Sequence, residues 1–242
     1  MGVLARPLHD SVLVDTLSKG APDPEPALVL ATHVQDGNSP LRLMAKRMFD
    51  VVLALVLIVM TLPTMIAVAL AILVSARGPI LFHQARVGRA GIPFRILKFR
   101  TMANGAEKIL YADGELHGKY LNSNHKLPTT IDHRLIRIGR WLRLTSLDEL
   151  PQLFNVLGGS MSLVGPRPVT PPELTHYGAH LAAFLSVKPG ITGPWQVGGR
   201  NDIGYPERVR IDVQYANTWT IHSDVLILLK TVGAVIRQRG AI

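Results

Sequence analysis

Residues Val51 to Val74 read VVLALVLIVMTLPTMIAVALAILV, and this stretch decides the fold. It contains no charged residue and no glycine, and only Thr61, Pro63 and Thr64 interrupt its apolar run. A run of about 18 or more such residues is long enough to enter a bilayer as a helix. A buried core helix is the alternative, but every face of this segment is apolar. Pro63 stands at its middle, where the ring removes an amide donor and collides with the preceding turn. Thr61 and Thr64 offer hydroxyls to the backbone groups freed there, which matters where water is scarce. Arg42, Lys46 and Arg47 precede the stretch, and Arg77, Arg86 and Arg89 follow it. Positive residues favour the cytoplasmic side of a membrane, and here both ends carry them. The reading is a re-entrant helix hairpin, broken at Pro63, that enters and leaves by the cytoplasmic leaflet. A plain single-pass helix competes with it.

Outward from this segment the chain divides in three. Residues 1–40 hold Pro7, Pro22, Pro24, Pro26 and Pro40 with no sustained periodicity. They are expected to be a disordered tail, with short strands at Val12–Val14 and Leu28–Leu30 as the alternative. No basic start and apolar core lie near Met1, so a secretory signal is not expected. Residues 41–76 form the membrane-inserted part, and residues 77–242 a water-facing part large enough for one core. Leu81–Gln84 and Phe94–Phe99 alternate as short strands, with Gly88–Gly91 as their turn. Residues 103–130 read as a helix and a loop. Beyond Thr145 the pattern is mainly helical, with Gly/Pro loops at 158–172 and 188–206. The fold class is therefore α+β, mostly helical.

Composition narrows the partners. Of 242 residues, 26 are Lys or Arg and 17 Asp or Glu, a formal charge of +9, while 48% are hydrophobic. Cysteine is absent, which excludes disulfide frameworks, thiolate zinc sites and cysteine nucleophiles. An apolar, basic chain points to an anionic membrane surface, anionic substrates or nucleic acid. A nucleic-acid binder would set basic and aromatic residues on one platform. Aromatics are only 6% here, and the most constrained arginine lies between prolines, so no nucleic-acid partner is expected.

Chemistry concentrates around Thr145-Ser146-Leu147-Asp148-Glu149-Leu150-Pro151-Gln152. Ser146 and Glu149 have the spacing of a capping box, and Pro151 suits the first position of a helix. Either way two adjacent carboxylates lie near a helix start, where the dipole favours an ionised Asp148. An ionised carboxylate there is a nucleophile, a metal ligand or simply a cap. Arg134, Arg137, Arg140 and Arg143 recur every third residue, as a drifting stripe on a helix that faces solvent or lipid headgroups. Arg143 also comes near enough in sequence to point at the acids. In Gly165-Pro166-Arg167-Pro168 two prolines restrict the backbone around one guanidinium, whose planar fork suits phosphate. The alternative is a surface turn. The loop Lys188–Asn201 holds Gly190, Gly193, Gly198, Gly199 and Arg200, which suits close approach to an anion but matches no phosphate-loop fingerprint. His222-Ser223-Asp224 opens an apolar helix in which Val225, Leu229, Val232 and Ile236 share a face, for the membrane interface or for the core.

Taken together these segments resemble the bacterial sugar transferase family of monotopic phosphoglycosyl transferases. The resemblance runs from about Lys46 onward and rests on Lys46-Arg47-Met48-Phe49-Asp50 and Lys98-Phe99-Arg100-Thr101-Met102. It continues through Thr145–Gln152, Met161–Pro168, Lys188–Gly193 and Gly199-Arg200-Asn201. It implies a re-entrant helix broken at Pro63, interfacial amphipathic helices and a small mixed catalytic domain on the cytoplasmic face of a bacterial inner membrane. By motif, Asp148 is the nucleophile and Glu149 its partner beside Mg2+. Arg143, Arg167 and Arg200 hold phosphates with Lys98 and Arg100 near, in a loop framed by Pro166, Pro168, Gly199 and Asn201. Members often carry serine before the helix-breaking proline; Leu62 stands there, and Thr61 is the candidate replacement for the hydroxyl. The ending Asp212-x-x-Tyr215-x-x-x-Trp219 is most similar to exopolysaccharide enzymes that use hexose donors. The implied reaction moves hexose-1-phosphate from a UDP-hexose, galactose or glucose, to undecaprenyl phosphate through a phospho-aspartyl intermediate. UMP and undecaprenyl diphosphate-hexose result, at the first step of exopolysaccharide or capsule assembly. Membrane lipids are expected partners, a homodimer is left open, and a membrane-anchored assembly scaffold without catalysis is the alternative function.

Overall fold

A computed structural model describes residues 39–122, 127, 130–198 and 203–236. The tail and its alternative strands therefore lie outside the described residues, apart from its last two positions. Helix α1 (Pro40–Ser75) opens with Ser39, whose side chain accepts from the Arg42 amide, and with Pro40 at its first position. Asp50, Ala54, Ile58, Met65, Val68 and Ile72 recur at near-helical spacing and are buried. On the other faces Val52, Leu55, Val59, Met60, Ile66, Leu70 and Leu73 are exposed. Among the described residues α1 is the one helix long and apolar enough to cross a membrane. An apolar surface of this length fits lipid rather than water.

The helix is continuous through Pro63 rather than split into two. Pro63 leaves the Val59 carbonyl without its usual donor. The Thr61 hydroxyl does not replace that donor; it donates to the Leu57 carbonyl at 2.7 Å and ties down the turn ahead of the ring. Both flanks of α1 bond to the same body. On the first, Arg47 donates to the Val156 and Leu157 carbonyls at 2.5 and 2.7 Å, and Lys46 to Asp224 at 2.6 Å. On the second, Arg100 donates to the Ala76 and Arg77 carbonyls, both at 2.9 Å.

Strands β1 (Leu81–Val87) and β2 (Pro93–Phe99) form the expected hairpin, antiparallel from Leu81 opposite Phe99 to Val87 opposite Pro93. Short helices α2 (Ala106–Ala112) and α3 (Gly114–Asn122) follow. Next come α4 (Gly139–Thr145) and α5 (Gln152–Leu157), joined by the 3-10 turn Leu147–Glu149. Strand β3 (Ser162–Val164) pairs in parallel with β4 (Gly190–Thr192), and α6 (Leu181–Leu185) lies on the crossover. Gly165 and Gly190 make this pairing possible, since a Cβ on Gly190 would sit 2.1 Å from the Gly165 nitrogen. Helices α7 (Pro194–Gly198), α8 (Tyr205–Thr218) and α9 (Ile221–Ile236) complete the described chain.

One apolar cluster joins Ala54 and Ile58 of α1 to Ile96, Leu153, Val156, Leu163, Tyr215 and Trp219. A second joins Met65, Val68 and Ile72 to Phe99, Ile136 and Leu142. The buried stripe of α1 is thus a wall of the head's core along most of its length. On α9, Val225, Leu226, Leu229 and Val232 are exposed while Asp224 is buried, so its apolar face turns outward as an interfacial helix would. The expected arginine stripe is corrected. The helix begins only at Gly139, because Leu135 bridges to Met102 and Arg134 is held back by Asp132, with bonds of 2.7 and 2.8 Å.

Candidate active site

The acids sit on a turn, not inside a helix. Ser146 ends α4 in the left-handed region at φ 58°, and its side chain makes no capping bond, so the capping-box expectation fails. Leu147 and Leu150 pack into the second cluster and Leu153 into the first. That apolar spacing pins the backbone and leaves Asp148 and Glu149 between them. Asn155 fixes the depth of the turn against β2: its amide oxygen accepts from the Leu97 amide at 2.9 Å, and its nitrogen donates to the Arg95 carbonyl at 2.8 Å. One side chain therefore satisfies an open stretch of strand edge.

Lys98, on the same strand, reaches Glu149 at 2.5 Å. Asp148 is 8% exposed, and its carboxyl is pushed up to about 6, first by burial, against the pull of Lys98 and with the adjacent Glu149 adding to the rise. Arg143 also pulls it down. The Arg143 Nε donates to the Thr101 hydroxyl at 3.1 Å, and a guanidinium nitrogen lies 3.9 Å from Asp132. Asp132, Arg134 and Thr101 thus act as a frame that aims Arg143 at the acids.

Beside this turn is a cavity lined by Lys98 and Glu149, by Arg86 and Arg167, and by Gln152 and Gln196, with Pro168, Gly190 and Ile191 closing it. Arg86 donates to the Pro168 carbonyl at 3.0 Å and pairs with Glu173 at 3.4 Å. Burial, and then the neighbouring Arg167 charge, lower its pKa to about 10. Its buried Nε and the Gln196 carbonyl oxygen have no protein partner. Two guanidiniums and an ammonium around one small space, with Lys98 already paired to Glu149 and Arg86 to Glu173, give it a cationic lining that suits an anion. Pro166 accepts from the Gly190 amide at 2.8 Å, which docks the Arg167 loop on β4.

Of the candidates from sequence, Asp148, Glu149, Lys98 and Arg143 come together, and Arg167 with Pro168 lines the adjoining cavity. Arg100 does not join them; it is 5% exposed and turned toward the end of α1, where it donates to the Ala76 and Arg77 carbonyls just past the helix. Gly199, Arg200 and Asn201 lie outside the described residues. Sequence reading missed Gln152, Gln196, Asp132, Thr101 and Asn155, and took Arg86 for a membrane flank. Gln84 and Arg86 at the two-residue spacing of a strand were the available signal.

Two adjacent carboxylates, with no group of three or more metal-ligating side chains among the described residues, form a sparse donor set. It still fits Mg2+, which takes one or two carboxylates, keeps waters and completes its shell with substrate phosphates.

Comparison with protein families matches residues 41–238 to the bacterial sugar transferases. The undecaprenyl-phosphate galactose phosphotransferase of Salmonella typhimurium is 42% identical over 199 residues, 81% of this chain and 41% of that protein. The exopolysaccharide production protein ExoY of Rhizobium meliloti is 38% identical, across 84% of this chain and 90% of its own length. The UDP-glucose:undecaprenyl-phosphate glucose-1-phosphate transferase of Caulobacter vibrioides is 38% identical, over 81% and 71% respectively. The chain thus spans about two fifths of some relatives and nearly all of ExoY.

Proposed function

Because the chain belongs to the bacterial sugar transferase family, we propose that it transfers hexose-1-phosphate from a UDP-hexose to undecaprenyl phosphate. The observation that carries this reading is a buried, high-pKa Asp148 next in sequence to Glu149, which with Lys98, Arg86 and Arg167 lines the cavity; Asp148 itself does not line it. The arginines hold the donor diphosphate and bring its sugar-bearing phosphorus to Asp148. A carboxylate oxygen attacks that phosphorus, the bond to the bridging oxygen breaks, and UMP leaves with the electron pair. The acceptor phosphate then attacks the same phosphorus and releases Asp148 as a carboxylate, giving undecaprenyl diphosphate-hexose. Splitting the transfer lets one site serve a soluble donor and a lipid acceptor in turn. Mg2+ held by Asp148 and Glu149 would neutralise phosphate charge. Donor alone should release UMP in an amount equal to the enzyme and leave the protein heavier by one hexose phosphate after acid quench. UMP release only with acceptor present, and no trapped adduct, would favour direct transfer.

The nucleophile must be ionised. With its pKa near 6, Asp148 is charged above that pH and protonated below it, so the donor-only rate should fall about tenfold per unit below pH 6. Lys98 pulls this pKa down. Lys98→Met should therefore shift the acid limb to higher pH, as read from UMP release across pH 5–8. An unmoved limb would remove Lys98 from the site.

A re-entrant placement of α1 is part of the proposal, supported by the bonds from both of its flanks to one head. Ala45→Cys and Ile80→Cys should be labelled from the same side of sealed vesicles. Labelling from opposite sides contradicts the re-entrant arrangement.

A further inference from the structure

We propose that Lys188 and Arg47 form a second anion site, apart from the Glu149 cavity, which holds the phosphate of a membrane lipid headgroup. The two cations come from segments far apart in sequence and meet at the turn after α5. A Cβ placed on Gly159 would lie 3.6 Å from an Arg47 guanidinium nitrogen and 3.7 Å from the Lys188 ammonium. Neither cation lines the cavity of Glu149, Arg86 and Arg167.

Among the described residues, Lys188 and Arg47 have no carboxylate of their own. Arg47 donates to the neutral carbonyls of Val156 and Leu157. Asp50, the acid facing Lys188, already accepts from the Ser162 hydroxyl and the Leu163 amide, both at 3.1 Å, and Lys46 is 3.9 Å away. The other nearby carboxylate, Asp224, takes Lys46. Burial and the charges of Arg47, Arg89 and Lys46 lower the Lys188 pKa, and only Asp50 opposes them. Like charges gathered in a half-buried place cost free energy, which a bound anion offsets.

The surroundings decide which anion. Met44 and Met48, on the same helix turn as Arg47, are exposed, as are Phe154 on α5, the helix whose carbonyls Arg47 caps, and Ile92 after the Arg89 turn. Cations on elements that also expose apolar side chains, at the end of α1 where the apolar run begins, match a phosphodiester with acyl chains attached. The site would seat the first flank of α1 at the membrane surface. It makes no demand on the chemistry at Asp148, so it stands or falls apart from the proposed reaction.

The test is thermal unfolding of the full chain in neutral detergent with dihexanoyl-phosphatidylglycerol, dihexanoyl-phosphatidylcholine or inorganic phosphate. Saturating phosphatidylglycerol should raise the apparent Tm by at least about 4 °C, while the other two should shift it by less than about 1 °C. Lys188→Met should lose that shift, and Lys230→Met, which removes an exposed lysine of α9, should keep it. An equal shift in Lys188→Met, no shift in the unaltered protein, or an equal shift from inorganic phosphate would each overturn the lipid site. Native mass spectrometry of the unaltered protein needs no variant to fold. It should retain one phosphatidylglycerol in preference to phosphatidylcholine, and equal retention overturns the proposal.

Discussion

Asp148→Asn should abolish transfer, by at least about 10⁴-fold in kcat, and at the same time make the protein more stable. The loss follows from the missing nucleophile, because the amide cannot displace UMP. The gain follows from burial. The Asp148 carboxyl is raised from 3.8 to about 6 in the folded chain. Below pH 4 it is protonated both folded and unfolded and has little effect. Between pH 4 and 6 the unfolded chain ionises first, so folding loses stability as pH rises, and above pH 6 the full penalty is present. At pH 7.5 the variant should gain about 1–3 kcal/mol, or a Tm higher by several degrees, and near pH 4 the gain should vanish. Activity assays and unfolding curves at both pH values check this. A variant less stable at pH 7.5 would mean that Lys98 and Arg143 hold Asp148 more strongly than burial opposes it.

Arg167→Ala should lower kcat/KM for the donor by roughly 10- to 100-fold, the range of one charge-assisted phosphate contact. Arg167→Lys should recover little, since an ammonium cannot make the planar two-pronged contact. Arg100→Ala is the informative contrast. It should leave the donor KM within about twofold but lower the Tm, because Arg100 holds the end of α1 rather than phosphate. Steady-state kinetics beside unfolding curves separate the two. Normal kinetics in both Arg167 variants would sink its assignment. A raised KM in Arg100→Ala would return that residue to the site.

Local patterns found the elements more readily than their neighbours. The hairpin of β1 and β2 was legible because alternation and a glycine turn are local signals. The two carboxylates, Lys98 and the proline-held Arg167 were legible because their residue types stand out against an apolar chain. Arg86 and Gln196 were not, since a charged residue at a strand end and a glutamine in a glycine-rich loop have no local mark of function. They become site residues only when β1, the Arg167 loop and α7 close on one cavity. Arg100 shows the converse. It sits two residues from Lys98, but alternate residues of a twisted strand end need not share surroundings, and the end of α1 lies nearer to it than the acids do. The motif Asp212, Tyr215 and Trp219 likewise proves architectural. Tyr215 donates to the Val164 carbonyl at 3.0 Å and to Asp224 at 2.8 Å, Asp212 accepts from Tyr177 at 2.9 Å, and Trp219 stacks under Arg42.

By itself the sequence determined that this chain carries a long apolar segment with positive flanks, a small mixed head, and a pair of acids among arginines. Each of those rests on composition or on spacing within a few residues, which covalent geometry converts directly into structure. Tertiary structure alone decided how deep Asp148 lies, which cations face it, and that both flanks of α1 bond to one head. The physical reason is range. Burial and the electrostatics that follow from it sum over residues distant along the chain, so the charge state of Asp148 is a property of the packed protein and not of the motif that contains it.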